Sequence, residues 1–175
     1  MRTSPAIEVQ RILRVDHAGE HGAIGIYSAQ IVISRLLWPD LTATLAEIRS
    51  HEEKHLARFD QELKTRNLRS CHVLPLWYLG GYVLGILTGL LGRKAIWACT
   101  AAVENTVCQH LQNQKVFLKL HDERALEAVL SIEQDELDHL DHACANGGTN
   151  KGLGRIISAV VSSLTALAIW LSGKL

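Results

Sequence analysis

Apolar positions in the first forty residues recur at mixed steps of three and four. Ile7, Ile12, Val15, Ala18, Ile24, Ile26, Ile31 and Ile33 form the series, with no proline between Ala6 and Trp38. That spacing marks one helix face, so it predicts a long first helix. Gly19, Gly22 and Gly25 interrupt it, each costing up to about 1 kcal/mol against alanine. They either let another helix approach closely or form a tolerated weak stretch. Trp38-Pro39-Asp40 stops the helix, because proline disfavours helical backbone in the residue before it. Leu41 to Asn67, rich in Ala, Leu, Glu, Lys and Arg, predicts a second helix. A third runs from Arg93-Lys94 to about Leu120, and a fourth from Glu123 to Ala145. His121-Asp122-Glu123 separates these two as a polar turn with an N-cap aspartate, and Asn146-Gly147-Gly148 is a stop signal.

Two stretches follow another pattern. Val73 to Gly92 contains no charged residue, and Gly81, Gly85 and Gly89 recur in it every fourth position. Ile156 to Gly173 is also uncharged. The expected architecture is therefore all-α in a single domain over 1–175: hairpin one over 6–67, an apolar linker helix over 73–92, hairpin two over 94–146, and an apolar C-terminal helix over 153–173.

The two hairpins carry the same acidic and histidine spacing. Glu20 is followed by Glu52 and His55; Glu104 is followed by Glu136 and His139, each 84 positions after its counterpart. Residues three apart share a helix face, so each Glu-x-x-His presents a carboxylate and an imidazole to one point. Two such pairs, each preceded at the same interval by a lone glutamate, match the inward-facing ligands of ferritin-like di-metal four-helix bundles. The midpoints between lone glutamate and pair fall near Leu37 and His121, at the two predicted turns, as antiparallel hairpins require. Gln30 and Gln114 repeat at the same offset, consistent with a duplicated hairpin.

Four carboxylates and two imidazoles suit iron or manganese rather than structural zinc. Four glutamates would neutralise two divalent ions, which removes much of the cost of burying them. Glu52 and Glu136 are the expected bridging carboxylates, and Glu20 and Glu104 the terminal ones. Glu104 stands in Ala-Ala-Val-Glu-Asn-Thr-Val, a setting where a free carboxylate is costly. Asp16, His17, Asp135, Asp138 and His110 are candidates to hydrogen-bond the ligands, whereas Glu53 and His142 are expected to be solvated.

By length alone, Val73 to Gly92 would span a membrane. A single crossing, however, would put Glu104 on the opposite side from Glu20 and Glu52, and six ligands cannot converge across a bilayer. The segment must lie in the interface, pack on the bundle, or enter and return. Arg69, Arg93, Lys94, Lys151, Arg155 and Lys174 border the apolar segments, an arrangement suited to an anionic lipid surface. The chain as a whole carries 18 basic and 18 acidic side chains, so no global field points to nucleic acid. Cys71, Cys99, Cys108 and Cys144 form no C-x-x-C, which argues against a zinc ribbon or thioredoxin motif. Met1 to Gln10 lacks the apolar core of a secretory signal.

RVDHAGE around Glu20, HEEKHL around Glu52 and His55, PLW in the linker, ACTAAVE at Glu104 and DELDH at Glu136 and His139 occur in that order. In these stretches the sequence resembles the demethoxyubiquinone hydroxylase family, membrane-associated di-iron monooxygenases of ubiquinone biosynthesis, over about Arg11 to the closing IWLSGKL. The resemblance implies a ferritin-like fold and two iron ions at Glu20, Glu52, His55, Glu104, Glu136 and His139. It also implies hydroxylation of a demethoxylated quinone or quinol ring by molecular oxygen. It further implies a peripheral position on the inner membrane, on the cytoplasmic face in bacteria or the matrix face in mitochondria, and in eukaryotes a lipid-binding partner protein and a biosynthetic complex. Leu111 departs from the tyrosine expected after His110 in animal relatives, so that tyrosine's role does not transfer. No G-x-G-x-x-G follows a strand, which leaves an external reductase, direct NADH contact or the quinol itself as electron source. The isoprenoid tail would follow the apolar surfaces of 73–91 and 156–171. Competing readings are a ferritin-like ferroxidase or iron-binding protein, and a non-catalytic quinone- or lipid-binding module.

Overall fold

The computed structural model describes residues 4–148 and 152–174 and contains six helices there. Lys151, one of the basic residues noted above, lies outside the described residues, as do Met1 to Thr3 and Leu175. Ser4 caps α1 (Pro5–Leu37), accepting from the Ile7 amide, and Pro5 takes the first turn, where no amide partner is needed. After one 3-10 turn at Pro39–Leu41 comes α2 (Thr42–Thr65). The linker forms α3 (Leu74–Leu91), and Gly92, at φ 103°, turns the chain directly into α4 (Arg93–His121). Asp122 alone separates α4 from α5 (Glu123–Ala145), its Oδ1 accepting from the Ala125 amide at 2.9 Å. Gly147, at φ 102°, ends that helix, and α6 (Leu153–Ser172) closes the chain.

The two hairpins, α1/α2 and α4/α5, pack together as a four-helix bundle with buried carboxylates at mid-height. Val9, Leu13, Phe59, Leu63, Leu118, Val129 and Ile132 fill one end. Tyr27, Ile31, Leu45, Ile48, Ile96, Trp97 and Ala143 fill the other. On every helix of the bundle the predicted ligand positions fall between the two apolar layers, shielded from water at both ends. One end is clasped by Glu62, whose carboxylate receives Arg58 at 2.5 Å, Arg124 at 3.1 Å and Arg66 at 3.3 Å, while Arg66 also holds Asp122 at 2.6 Å.

The two apolar helices pack on the outside, α3 along α1 and α6 along α4. The linker glycines meet α1 backbone to backbone. A Cβ would lie 2.2 Å from the Gly22 carbonyl oxygen at Gly81, and 2.3 Å from that of Ile26 at Gly85. Gly25 answers from α1, where a Cβ would lie 2.4 Å from the Tyr78 carbonyl oxygen. The linker packs on the bundle, one of the three options left open for it, and its glycine series serves contact within the chain. The Trp38 indole nitrogen donates to the Gly89 carbonyl at 3.0 Å, tying the end of α1 to the end of α3.

The outward faces of both helices stay apolar and exposed. They carry Leu76, Leu79, Val83, Leu87 and Leu90 on α3, and Ile156, Val160, Leu164, Leu167 and Trp170 on α6. By length and composition each helix is apolar enough to cross a membrane. Among the basic residues beside them, Arg93 is paired with Asp40 and Lys174 sits 4.9 Å from the Trp170 ring.

Candidate metal centre

Side chains from four helices meet at mid-bundle because each Glu-x-x-His turns its carboxylate and ring to the same inward face. The six predicted residues are all buried and form two overlapping groups, Glu20, Glu52, His55 and Glu136, and Glu52, Glu104, Glu136 and His139. Within each group the donor atoms lie within 4.8 Å of one another. Glu52 and Glu136 belong to both groups; Glu20 and Glu104 belong to one each.

The histidine rings point Nδ1 inward. His55 Nδ1 is 3.1 Å from Glu136 Oε1, and His139 Nδ1 is 3.3 Å from Glu52 Oε1. Yet both nitrogens, Glu52 Oε1 and both oxygens of Glu136 are buried without an aligned hydrogen bond among the described residues. Orphaned donors and acceptors of this kind are rare in a folded core, and cations at their centre would satisfy them. The electrostatics agree. Burial, then Glu52 and Glu136, pushes the Glu20 carboxyl well above the usual range. Glu104 is pushed up by burial, then by Glu136 and Glu52, and Glu136 by burial and Glu52. Burial pushes Glu52 up as well, but contacts with His139, Glu20 and His55 outweigh it and hold that carboxyl low. Positive charge between the four carboxylates would relieve both the burial and the repulsion.

Surrounding residues orient the six. Asp135 Oδ2 is 3.0 Å from His55 Nε2, as the sequence anticipated for that aspartate. His51, not anticipated, places Nδ1 3.0 Å from His139 Nε2. The buried Tyr27, also not anticipated, donates its hydroxyl to Glu104 Oε1. Applying the 84-residue offset to the neighbours of the ligands would have flagged the first pair, since 51 and 135 are equivalent positions. Asp16 is buried, accepts from Gln114 Nε2 at 2.6 Å and is pushed up to about 7 by burial, although that bond opposes the shift. His17 is buried 4.0 Å from Asp60. Asp138 faces outward and accepts from Gln134, Glu53 pairs with Arg49 at 3.2 Å, and exposed His142 packs its ring edge on Trp97. These three stand away from the centre.

A cavity of about 250 Å3 adjoins the carboxylates. Glu20, Glu52, Glu104 and Glu136 form its polar floor. Its walls are apolar: Trp77, Gly81 and Leu84 from α3, Leu164, Leu167, Ala168 and Ile169 from α6, and Val103, Val107 and Leu111 from α4. Gly19 and Gly22 also line it, so the missing side chains around Glu20 leave open space. Asp16, His110, Thr165 and Ser172 are polar groups along the wall.

Among the described residues, a helical bundle with two overlapping carboxylate–histidine groups at mid-height, either able to hold a metal ion, defines a ferritin-like protein. Within that class the chain belongs to the family described as ubiquinone biosynthesis protein COQ7, whose model matches residues 7–172. The chain is 37% identical over 172 residues to the 3-demethoxyubiquinol 3-hydroxylase of Rhodospirillum rubrum, covering 98% of this chain and 80% of that protein. It is 32% identical to the human NADPH-dependent 3-demethoxyubiquinone 3-hydroxylase, mitochondrial, covering 95% of this chain and 78% of that one. The 3-demethoxyubiquinol 3-hydroxylase of Acinetobacter baylyi is 31% identical, with 85% and 69% covered.

Proposed function

We propose that this single-domain protein is a di-iron monooxygenase that hydroxylates the ring of a demethoxyubiquinol or demethoxyubiquinone with molecular oxygen. The carrying observation is the cavity, whose floor is the carboxylate cluster and whose walls are the two helices with exposed apolar faces. In this reading Glu20, Glu52, His55, Glu104, Glu136 and His139 would hold two iron ions, Glu52 and Glu136 being the residues within reach of both groups. Bound iron would supply the redox chemistry that activates oxygen. Four carboxylates balance the charge of two divalent ions, and the apolar end layers keep bulk water from them. The apolar walls accept a quinol ring, and Gly19 and Gly22 leave room for it beside Glu20. The isoprenoid tail would lie along the outer faces of α3 and α6, which rest on the inner membrane without crossing it. Electrons come from an external donor such as NADH or NADPH.

The test loads the full chain with iron and mixes it with vesicles carrying a short-tailed demethoxyquinone, a reductant and isotopically labelled dioxygen. One labelled oxygen atom in the product ring is expected. Iron uptake into a soluble cage with no hydroxylated product would overturn the reading in favour of a ferroxidase. Glu104→Ala should lower the iron content by the ion that Glu104 would hold, and unchanged iron content would refute the ligand assignment.

A further inference from the structure

Resting on the ligand assignment just given, the geometry points to two unequal metal positions. We propose that the Glu20/His55 position is the tighter and first filled, and the Glu104/His139 position the weaker, because Asp135, His51 and Tyr27 break the symmetry of the two hairpins.

Residues 51 and 135 stand one before Glu52 and Glu136, at the same 84-residue offset as the ligands. Each reaches across to the other hairpin's histidine. Asp135 holds His55 Nε2 at 3.0 Å, and His51 holds His139 Nε2 at 3.0 Å. Both ligand rings turn Nδ1 toward the carboxylates. A ring that gives the Nδ1 lone pair to a metal carries its proton on Nε2. His55 therefore donates to a carboxylate, and the adjacent negative charge makes its ring a stronger donor. His139 donates instead to His51 Nδ1, which must offer a lone pair, so His51 is neutral with its proton on Nε2. The equivalent outer partners thus differ by a full charge.

The terminal glutamates differ in the same direction. The Tyr27 hydroxyl donates to Glu104 Oε1 and draws electron density from that ligand. The residue equivalent to Tyr27 by the offset is Leu111, buried and with nothing to donate. Glu20 is thus spared such a competitor, and both asymmetries make the His55 side the richer donor set. Hydrogen-bonding partners of metal ligands alter affinity roughly 10- to 100-fold. Asp135 is partly exposed, which screens its charge, so a separation of about tenfold is expected.

The experiment is a spectrophotometric Co(II) titration of the metal-free full chain, with helix content monitored throughout. Two resolved steps of unequal affinity are expected. Asp135→Asn should weaken the tight step roughly tenfold and bring it near the second, and Asp135→Glu should restore the gap. His51→Asp should tighten the weak step. Glu104→Gln should leave the tight ion bound, and Glu20→Gln the weak one. Two equal steps in the native chain, or Asp135→Asn and His51→Asn weakening the same ion, would overturn the inequality while the six-ligand reading stands. Failure to bind two ions at all would overturn both.

Discussion

Replacing Gly81 by alanine should push α3 away from α1, whereas the same change one residue earlier should stabilise the protein. At Gly81 the new Cβ would lie 2.2 Å from the Gly22 carbonyl oxygen, 3.1 Å from the Gly22 carbonyl carbon and 3.2 Å from the Ile26 nitrogen. All three are backbone atoms, so no rotamer change relieves the clash. Restoring an ordinary contact of about 3.5 Å requires the helices to separate by roughly 1 Å. Overpacking of this kind costs about 1–3 kcal/mol, and alanine's helix preference over glycine offsets about 1 kcal/mol of it. A net loss of up to about 2 kcal/mol lowers Tm by up to roughly 8 °C for a chain of this size. At Gly80 nothing lies within 4 Å of the added Cβ, so only the gain of up to about 1 kcal/mol remains. Circular dichroism melts of both variants in detergent, at matched metal content, measure the difference. Since Trp77 and Leu84 of α3 wall the cavity, Gly81→Ala should also raise KM for the quinol. A Gly81→Ala protein melting at or above Gly80→Ala would refute close backbone contact as what seats α3.

Tyr27→Phe keeps the ring packing but removes the hydroxyl held by Glu104; it should leave the fold intact and change metal retention against a chelator roughly tenfold, with no change counting against the contact. Asp16 titrates at about 7 in the metal-free fold, against 3.8 as an ordinary aspartate. The folded state therefore binds its proton more tightly, and this stability is present at low pH and lost as pH rises from about 4 to about 7, by about 1.4 kcal/mol per unit. Metal-free Asp16→Asn should show a correspondingly shallower decline in Tm over that range than the parent chain, and parallel curves would refute the assignment. Glu62→Ala removes the acceptor of three arginines; because those arginines are themselves partly exposed and can rehydrate, the expected cost is about 1–3 kcal/mol in denaturant unfolding.

Helix boundaries were legible because their causes are local. Pro39, Asp122 and Gly147 act through their own backbone or the next turn, and observed ends differ from the expected ones by a few residues at most. Leu41 falls in the 3-10 turn, Arg66 and Asn67 fall beyond α2, and α6 stops at Ser172. The convergence of these six residues was legible for a related reason. A repeated spacing placed on helices of known period already states which side chains share a face.

Which helix each face meets was not legible, because packing partners are chosen across the chain. The glycines of α3 read equally well as a lipid-buried seam, and only the position of Gly22, Gly25 and Ile26 shows that α1 takes that role. Nothing in the local spacing singled out Tyr27 or His51. Their partners, Glu104 and His139, lie 77 and 88 residues away. The sequence by itself determined a helical frame with four carboxylates and two imidazoles facing inward, since periodicity and turn chemistry act over a few residues. Only the tertiary structure decided how α3 and α6 wall the cavity, and which unequal neighbours hold His55 and His139, because those contacts exist only once distant helices pack.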